Sequence, residues 1–150
     1  MRYVLDTNIV LAYLRKHTIW NLIEEPFEIY DSETIVFVPA VVIGKLESIA
    51  VQNDWGQKKK QDLEVFVNEF IRVDQLNDEI ITAYSKIDAF SQGRLEGKPL
   101  NDSARNMGKN DLWIAATASI LDATLITTDK DFQHLHTHFL DVAYFDLNKN

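Results

Sequence analysis

The sequence predicts an α/β fold, a single domain with a mostly parallel central sheet flanked by helices, and three observations predict it. Short apolar strand-like segments alternate with helical patterns along the chain, which is typical of parallel sheets joined by right-handed crossovers. The first of these segments, Tyr3 to Leu5, has no polar interruption, as expected of a strand covered on both faces. The chain has 150 residues and is 46% hydrophobic, enough to bury a core of its own.

The elements follow from local patterns and capping signals. In chain order we predict a strand at 2–5, helices at 9–16 and 19–24, a strand at 34–38, helices at 41–53 and 58–70, a brief strand at 72–73, a helix at 77–90, a loop at 91–110, a helix opened by Asn110 and Asp111, and strands at 123–127 and 142–145. We expect residues 1–150 to form one domain, since no segment is a convincing linker.

Particular residues set several of these boundaries. Thr7 or Asn8 is available to cap the first helix, and Pro26 is expected to end the second. Pro39, directly after the second strand, is tolerated at a helix start and is poor inside a strand. The loop at 91–110 holds three of the five glycines, so we interpret it as a connection between helices.

Composition excludes several classes of protein. There are no cysteines, which rules out disulfides and thiolate metal sites and fits a reducing cytoplasm. No apolar run approaches the roughly 18 residues of a membrane span, and the start MRYVLDTN is not a signal peptide. The net charge of −8 argues against an extended electrostatic clamp on nucleic acid, although a strongly acidic site that recruits cations would contribute to it. We therefore expect a cytoplasmic protein with no membrane partner.

Three aspartates lie at element ends, each beside an apolar segment. Asp6 follows the first strand, Asp129 follows the strand at 123–127, and Asp111 opens the helix that leads into that strand. Because the carboxyl ends of parallel strands share one edge of the sheet, we expect the three side chains to converge there. Taken alone, Asp6 is explained more readily as a helix cap and Asp111 by the helix dipole. The three together favour a site.

Converging carboxylates repel unless a cation or protons lie between them. An oxygen-only ligand set suits Mg²⁺ or Mn²⁺ and not zinc. Such a site can align water for attack on a phosphodiester and offset the charge that develops on phosphate oxygens. The predicted metal ligands and catalytic residues are therefore Asp6, Asp111 and Asp129.

Three motifs carry a family resemblance. The segments LDTN at 5–8, NDLWIAATA at 110–118 and TTDKDF at 127–132 resemble the acidic motifs of PIN-domain nucleases, and most closely those of VapC-type ribonuclease toxins of bacterial toxin–antitoxin pairs. The resemblance covers nearly the whole chain. It implies a Mg²⁺- or Mn²⁺-dependent endoribonuclease, commonly a homodimer, neutralised by a small antitoxin protein. It assigns acids to Asp6, Asp111 and Asp129, and a supporting polar position to Asn8.

The chain departs from the family pattern at one acid. The family has a Glu near the start of the second major helix, where this sequence has Lys45. Glu47 does not obviously replace it, because residues two apart on a helix point in different directions. A lysine here brings positive charge where a metal ligand is expected and could pair with the aspartates. Two interpretations stay open: a weakened or degenerate nuclease, or a detoxifying substitution in a toxic enzyme.

Contacts to RNA are predicted from local charge. Basic residues gather around the loop on an otherwise acidic protein, and Arg105, Lys109 and Lys130 are the candidates for binding the phosphate backbone of single-stranded or looped RNA. Thr127 is a candidate hydrogen-bond donor to the acids. Asp131 is interpreted as the cap of a short turn, and His134, His136 and His138 as solvated residues. The alternative function is a catalytically inactive PIN module that binds RNA or protein.

Overall fold

A computed structural model describes residues 1–148. A five-stranded parallel sheet has the order β3-β2-β1-β4-β5, which confirms the predicted α/β class. The elements are β1 (Arg2–Leu5), α1 (Thr7–Leu14), α2 (Ile19–Phe27), β2 (Ile35–Pro39), α3 (Ala40–Gln52), α4 (Gln57–Asn68), β3 (Ile71–Val73), α5 (Asp78–Ser91), α6 (Lys109–Ile120), β4 (Thr124–Thr127), a 3₁₀ helix (Lys130–Leu135) and β5 (Val142–Tyr144).

The first strand of the chain is the centre of the sheet. In β1, Val4 pairs in parallel with Phe37 of β2 on one side and with Leu125 of β4 on the other. Val4 and Leu5 are fully buried, because helices cover both faces of the sheet. This arrangement brings the carboxyl ends of β1 and β4 together as immediate neighbours.

Aromatic side chains pack the helices on one side of the sheet. Phe66 of α4 is 1% exposed, and its ring centroid lies 4.3 Å from that of Tyr13 and 5.7 Å from that of Trp20. Phe70 completes the group at 5.0 Å from Phe66. These contacts join α1, α2 and α4, so Phe66 packs the three helices against one another.

The predicted end of the second helix is wrong. Pro26 does not halt the helix at residue 24 but lies inside α2, which continues to Phe27. The helix ends where Glu28 adopts a left-handed conformation at φ 48°. Phe27 packs edge-on against Tyr3 at 5.0 Å and Phe145 at 5.9 Å, and this burial holds the last turn despite the missing N–H of proline.

Asp6, and not Thr7 or Asn8, caps α1, as the capping interpretation of this acid predicts, because its carboxylate accepts the Thr7 N–H. Pro39 is the last residue of β2, paired with Val73, and also the residue before α3. The remaining boundaries agree with the predictions to within one or two residues, which is the normal precision of element ends.

The histidine-rich segment is not simply solvated. His134 lies in the 3₁₀ helix, is half-buried, and stacks on Phe90 with ring centroids 6.2 Å apart and planes 4° apart. His136 and His138 are exposed, as predicted. Sequence periodicity cannot show the stacking, because Phe90 belongs to α5, more than forty residues away.

Among residues 1–148, no helix is both long enough and apolar enough to cross a bilayer.

We predict that Phe66→Ala lowers the free energy of unfolding by about 3–5 kcal/mol, because it removes a buried ring and leaves a cavity. The matched control is Val65→Ala on the same helix, where the side chain is 61% exposed and the expected change stays within about 0.5 kcal/mol. Urea unfolding of the two variants measures both values. A loss of unfolding free energy in Phe66→Ala as small as that in Val65→Ala would show that the aromatic group contributes little to the core.

Candidate functional site

The acids predicted from the sequence meet at the carboxyl edge of the sheet. Asp6 directly follows β1, and its backbone N–H donates to the Ile126 carbonyl of β4 over 3.1 Å. Asp129 lies two residues past Thr127, the end of β4. Asp111 lies in the first turn of α6. The sheet therefore fixes Asp6 and Asp129 on adjacent strands, and α6 carries Asp111 to the same edge.

Asp6 is a buried carboxylate that other groups hold in place. It is 3% exposed. Its Oδ1 accepts the Thr7 N–H over 2.7 Å, and its Oδ2 accepts the Thr127 hydroxyl over 2.6 Å. Burial raises the pKa of Asp6, whereas these hydrogen bonds and the Lys45 charge oppose that rise. Asp6 thus caps α1 and is joined to β4 through Thr127, the residue predicted to support the acids.

A second group of acids forms the carboxylate cluster, which consists of Asp111, Asp129 and Asp131. One oxygen from each side chain lies within 4.8 Å of the others. Asp129 also caps the 3₁₀ helix, since its Oδ1 accepts the Asp131 N–H over 2.9 Å. The Asp129 N–H in turn donates to Thr127 Oγ1 over 3.0 Å. Thr127 therefore contacts both Asp6 and Asp129.

The pKa of Asp111 reflects the charges that surround it. Burial raises the pKa of Asp111 to about 6; the Lys45 charge opposes the rise, and the charges of Asp6, Asp129 and Asp131 add to it. Asp6 is therefore close enough to act electrostatically on Asp111, although its own oxygens are not part of the carboxylate cluster. Four acidic side chains at one edge create a site that strongly favours a cation.

Lys45 is the only basic side chain described within 4.0 Å of these acids in residues 1–148. It lies on α3, and its Nζ is 3.9 Å from Asp111 Oδ1. The lysine side chain is 35% exposed and that of Asp111 is 20% exposed, so the pair is partly screened. Glu47, two residues on, is exposed and lines a groove between α3 and α4, away from the acids.

The donor set fits a hard divalent cation. The carboxylate cluster offers only oxygen atoms, which Mg²⁺ and Mn²⁺ prefer. Two hydroxyl oxygens on the residues that adjoin Asp6 and Asp129 in the chain, Thr7 Oγ1 and Thr128 Oγ1, are buried without a hydrogen-bond partner among residues 1–148, and such groups are ordinarily satisfied by water or an ion. Among residues 1–148, the positive charge of Lys45 beside Asp111 opposes the binding of a cation.

An open cleft of about 520 Å³ lies beside Asp111, lined by Lys45 and by residues 108–111. Lys109, predicted to bind substrate, is exposed at the start of α6 on this cleft. Lys130 is exposed at the start of the 3₁₀ helix. Arg105 is half-buried, and its Nη2 donates to Asp102 Oδ2 over 2.8 Å. Asn8, predicted to support Asp6, has an exposed side chain in the first turn of α1.

Sequence reasoning missed Asp131 as a member of the cluster. The turn is capped by Asp129, and the Asp131 side chain is free to point toward Asp111 and Asp129. The available signal was the spacing of two residues after Asp129, in a turn that follows a buried strand. That spacing alone does not distinguish a capping acid from a ligand.

Comparisons with known proteins agree with the motif resemblance. Residues 3–136 match the PIN domain family. Ribonuclease VapC1 of Haemophilus influenzae strain R2866 is 29% identical over 136 residues, which cover 90% of this chain and 92% of that protein. The structure is similar to VapBC-1 from nontypeable Haemophilus influenzae, with a TM-score of 0.72 at 27% identity over 99% of this chain and 100% of that one. It is also similar to VapBC2 from Rickettsia felis bound to a DNA fragment from their promoter, with a TM-score of 0.73 at 22% identity over 97% and 100%.

We predict that Asp111→Asn stabilises the metal-free protein at high pH. The pKa of Asp111 rises from 3.8 to about 6 on folding, so the folded chain binds this proton more tightly than the unfolded chain. The resulting stabilisation is lost as the pH rises through 6. The Asn variant should exceed the wild type by about 1–2 kcal/mol at pH 8, after allowance for screening of a partly exposed group, and by almost nothing at pH 4.

Urea unfolding in the presence of a chelator at both pH values checks this difference. A gap between variant and wild type that is as large at pH 4 as at pH 8 would show that the substitution acts through packing and not through charge.

Proposed function

The chain belongs to the PIN domain family, and from this membership we propose that it is a divalent-metal-dependent endoribonuclease toxin of the VapC type, hydrolysing RNA phosphodiester bonds at its acidic edge. The observation that carries the proposal is the carboxylate cluster beside the buried Asp6. The similarity to a protein named Ribonuclease VapC1 supports the substrate class.

The residues divide into ligands and supports. Asp111 and Asp129 would hold a Mg²⁺ or Mn²⁺ ion together with Asp6, as predicted from the sequence, and Asp131 is added by its position in the carboxylate cluster. A bound ion would supply a Lewis acid for the phosphate and lower the pKa of a coordinated water. Thr127 holds Asp6 and the backbone of Asp129 in register, so the acids need little reorganisation to act.

In this proposal, Lys45 determines how tightly the site binds a metal ion. Its ammonium group lies 3.9 Å from Asp111 Oδ1 and lowers the pKa of both Asp6 and Asp111 against the rise caused by burial. It stabilises the acids in their charged form while occupying the region where a cation would bind. We infer a lower metal affinity than an acid at this position would give, and a weakened nuclease.

RNA would approach over the basic residues of the same edge. Lys109 borders the cleft beside Asp111, and Lys130 follows Asp129 directly. Both side chains are exposed, which suits contact with phosphate groups. Arg105 is already paired with Asp102, so its contribution to RNA binding requires that this exposed ion pair open.

The proposal includes partners. A small antitoxin protein, presenting an arginine to the acids, would pair with them through two hydrogen bonds and block the site. The structural similarity to VapBC-1 of Haemophilus influenzae supports such a complex. We further propose a cytoplasmic homodimer, because twofold homo-oligomers are the commonest assembly.

One observation favours a second candidate function. The contact between Lys45 and Asp111 is what an inactive PIN module, binding RNA or protein without cutting, would have in place of a metal. The two functions differ in metal uptake. The nuclease binds Mn²⁺ at the carboxylate cluster, and the inactive module does not.

We predict that Asp129→Asn abolishes Mn²⁺ binding and lowers Mn²⁺-dependent RNA cleavage by at least about 100-fold, since a metal ion contributes several kcal/mol to such reactions. Asparagine keeps the cap on the 3₁₀ helix, so the fold is preserved. Calorimetric titration with Mn²⁺ and cleavage of single-stranded RNA provide the measurements.

Asp62→Asn is the matched control, because Asp62 is an exposed residue of α4 whose salt-bridge partner among the described residues is Lys58. It should change neither measurement. A wild-type chain that neither binds Mn²⁺ nor cleaves RNA would contradict the nuclease and favour the inactive module.

We also predict that Lys45→Glu raises Mn²⁺ affinity and RNA cleavage, each by roughly tenfold, because it removes a competing cation and adds a carboxylate beside Asp111. Lys45→Met removes the charge without adding a ligand and should fall between Lys45→Glu and the wild type. Both variants are measured by the same titration and cleavage assays. Values equal to the wild type in both would show that Lys45 does not weaken the site.

A further inference from the structure

A partly buried hydrogen bond links the chain segments that carry the acids. Ser91, at the end of α5, is fully buried, and its Oγ lies 2.7 Å from His134 Nε2. Which of the two groups donates depends on the histidine tautomer. The same hydroxyl lies 3.3 Å from Met107 Sδ. Ser91 is thus the point where α5, the segment before α6 and the 3₁₀ helix meet.

On one side, this bond fixes the segment that carries Asp129 and Asp131. His134 is in the same short 3₁₀ helix, whose first turn holds Asp131 and whose cap is Asp129. The imidazole is also held flat against Phe90. Burial and then the charge of Arg105 lower the pKa of His134 to about 4, and the nearby backbone and carboxylate of Asp131 oppose this. The ring is therefore neutral near pH 7 and adds no charge beside the acids.

On the other side, the bond fixes the approach to Asp111. The backbone N–H of Arg105 donates to the Ser91 carbonyl over 2.8 Å. Met107, in contact with the Ser91 hydroxyl, immediately precedes Gly108, the N-cap of α6. Asp111 lies in the first turn of that helix. The position of the α6 start, and with it Asp111, is thus tied to Ser91.

The two chain segments that carry the carboxylate cluster, the start of α6 and the 3₁₀ helix, are therefore both joined to the uncharged pair of Ser91 and His134. Carboxylates whose oxygens lie within 4.8 Å repel one another, and they separate unless the backbone segments that carry them are restrained. An ordinary polar pair would contribute only to folding stability. This pair differs because the segments it joins are the two that hold Asp111 and Asp131.

We propose that Ser91 and His134 are positioning residues that hold Asp129 and Asp131 against Asp111 in the arrangement that binds one divalent cation. The inference rests on the proposed function, because it assumes that these carboxylates are the metal ligands. Partners of this kind, which orient ligands without touching the metal, commonly change metal affinity by about 10- to 100-fold when mutated.

The test compares three variants by calorimetric titration with Mn²⁺. His134→Phe keeps an aromatic ring on Phe90 and loses the hydrogen bond; it should weaken Mn²⁺ binding by about tenfold or more. His134→Gln retains a polar atom for Ser91 and should stay within about twofold of the wild type. His138→Phe makes the same substitution at an exposed histidine that also lies against Phe90, at 5.0 Å, and should have no effect.

A double-variant cycle adds a measurement that general destabilisation does not reproduce. Ser91→Ala should weaken Mn²⁺ binding as much as His134→Phe, and the double variant should be no worse than either single one, because all three lose the same bond. Should His134→Phe fail to fold, Ser91→Ala compared with His134→Gln decides the question, since both are smaller changes.

The outcomes separate this inference from the proposed function. If the wild type binds Mn²⁺ and His134→Phe and Ser91→Ala bind it equally well while unfolding at lower urea concentrations, the pair is only structural and the inference is overturned. If the wild type binds no Mn²⁺, the proposed function and this inference both fail. Weaker binding in Ser91→Ala and His134→Phe, with recovery in His134→Gln, supports the positioning role.

Discussion

Mutual repulsion of carboxylates is the constraint on which the rest of the site depends. Four acids gather at one edge of the sheet, and burial and proximity raise the pKa of Asp111 to about 6. Nothing in the chemistry of the acids holds them together, so the backbone must. The parallel pairing of β1 with β4 fixes Asp6 beside the end of β4, and α6 and the 3₁₀ helix bring the other carboxylates to the same place. The fold thus opposes the repulsion with strand pairing and helix packing.

Thr127 is a residue whose contacts serve both the fold and the acidic site. Its hydroxyl donates to Asp6 and accepts from the Asp129 backbone, so one side chain at the end of a strand orients two acids. Asp6 likewise caps α1 while belonging to the acidic edge. Capping and catalysis are often treated as competing explanations of an aspartate at a helix start. In the proposed nuclease the cap would fix the orientation that metal binding requires, since a capped carboxylate has few alternative rotamers.

The fold class and the location of the acids were predictable from the sequence, because apolar periodicity and element ends are local properties. The parallel sheet follows from uninterrupted strands such as Tyr3 to Leu5, and the edge position of Asp6, Asp111 and Asp129 follows from that topology. The rest depends on distant contacts. Pro26 stays inside α2 because Phe27 packs on Tyr3 and Phe145, and the pairing of His134 with Ser91 spans 43 residues. Asp131 was missed for the same reason, since its proximity to Asp111 of α6 is a tertiary contact.

The lengths of the outermost strands bear on how molecules of this chain can associate. The sheet ends in β3 on one side and β5 on the other, and each is three residues long. So short an edge leaves few unpaired backbone groups for a strand from another molecule. A continuous sheet running through two copies would therefore gain little, and self-association is expected to bury helix surfaces instead. Edge strands this short are also expected to resist edge-to-edge aggregation at high protein concentration.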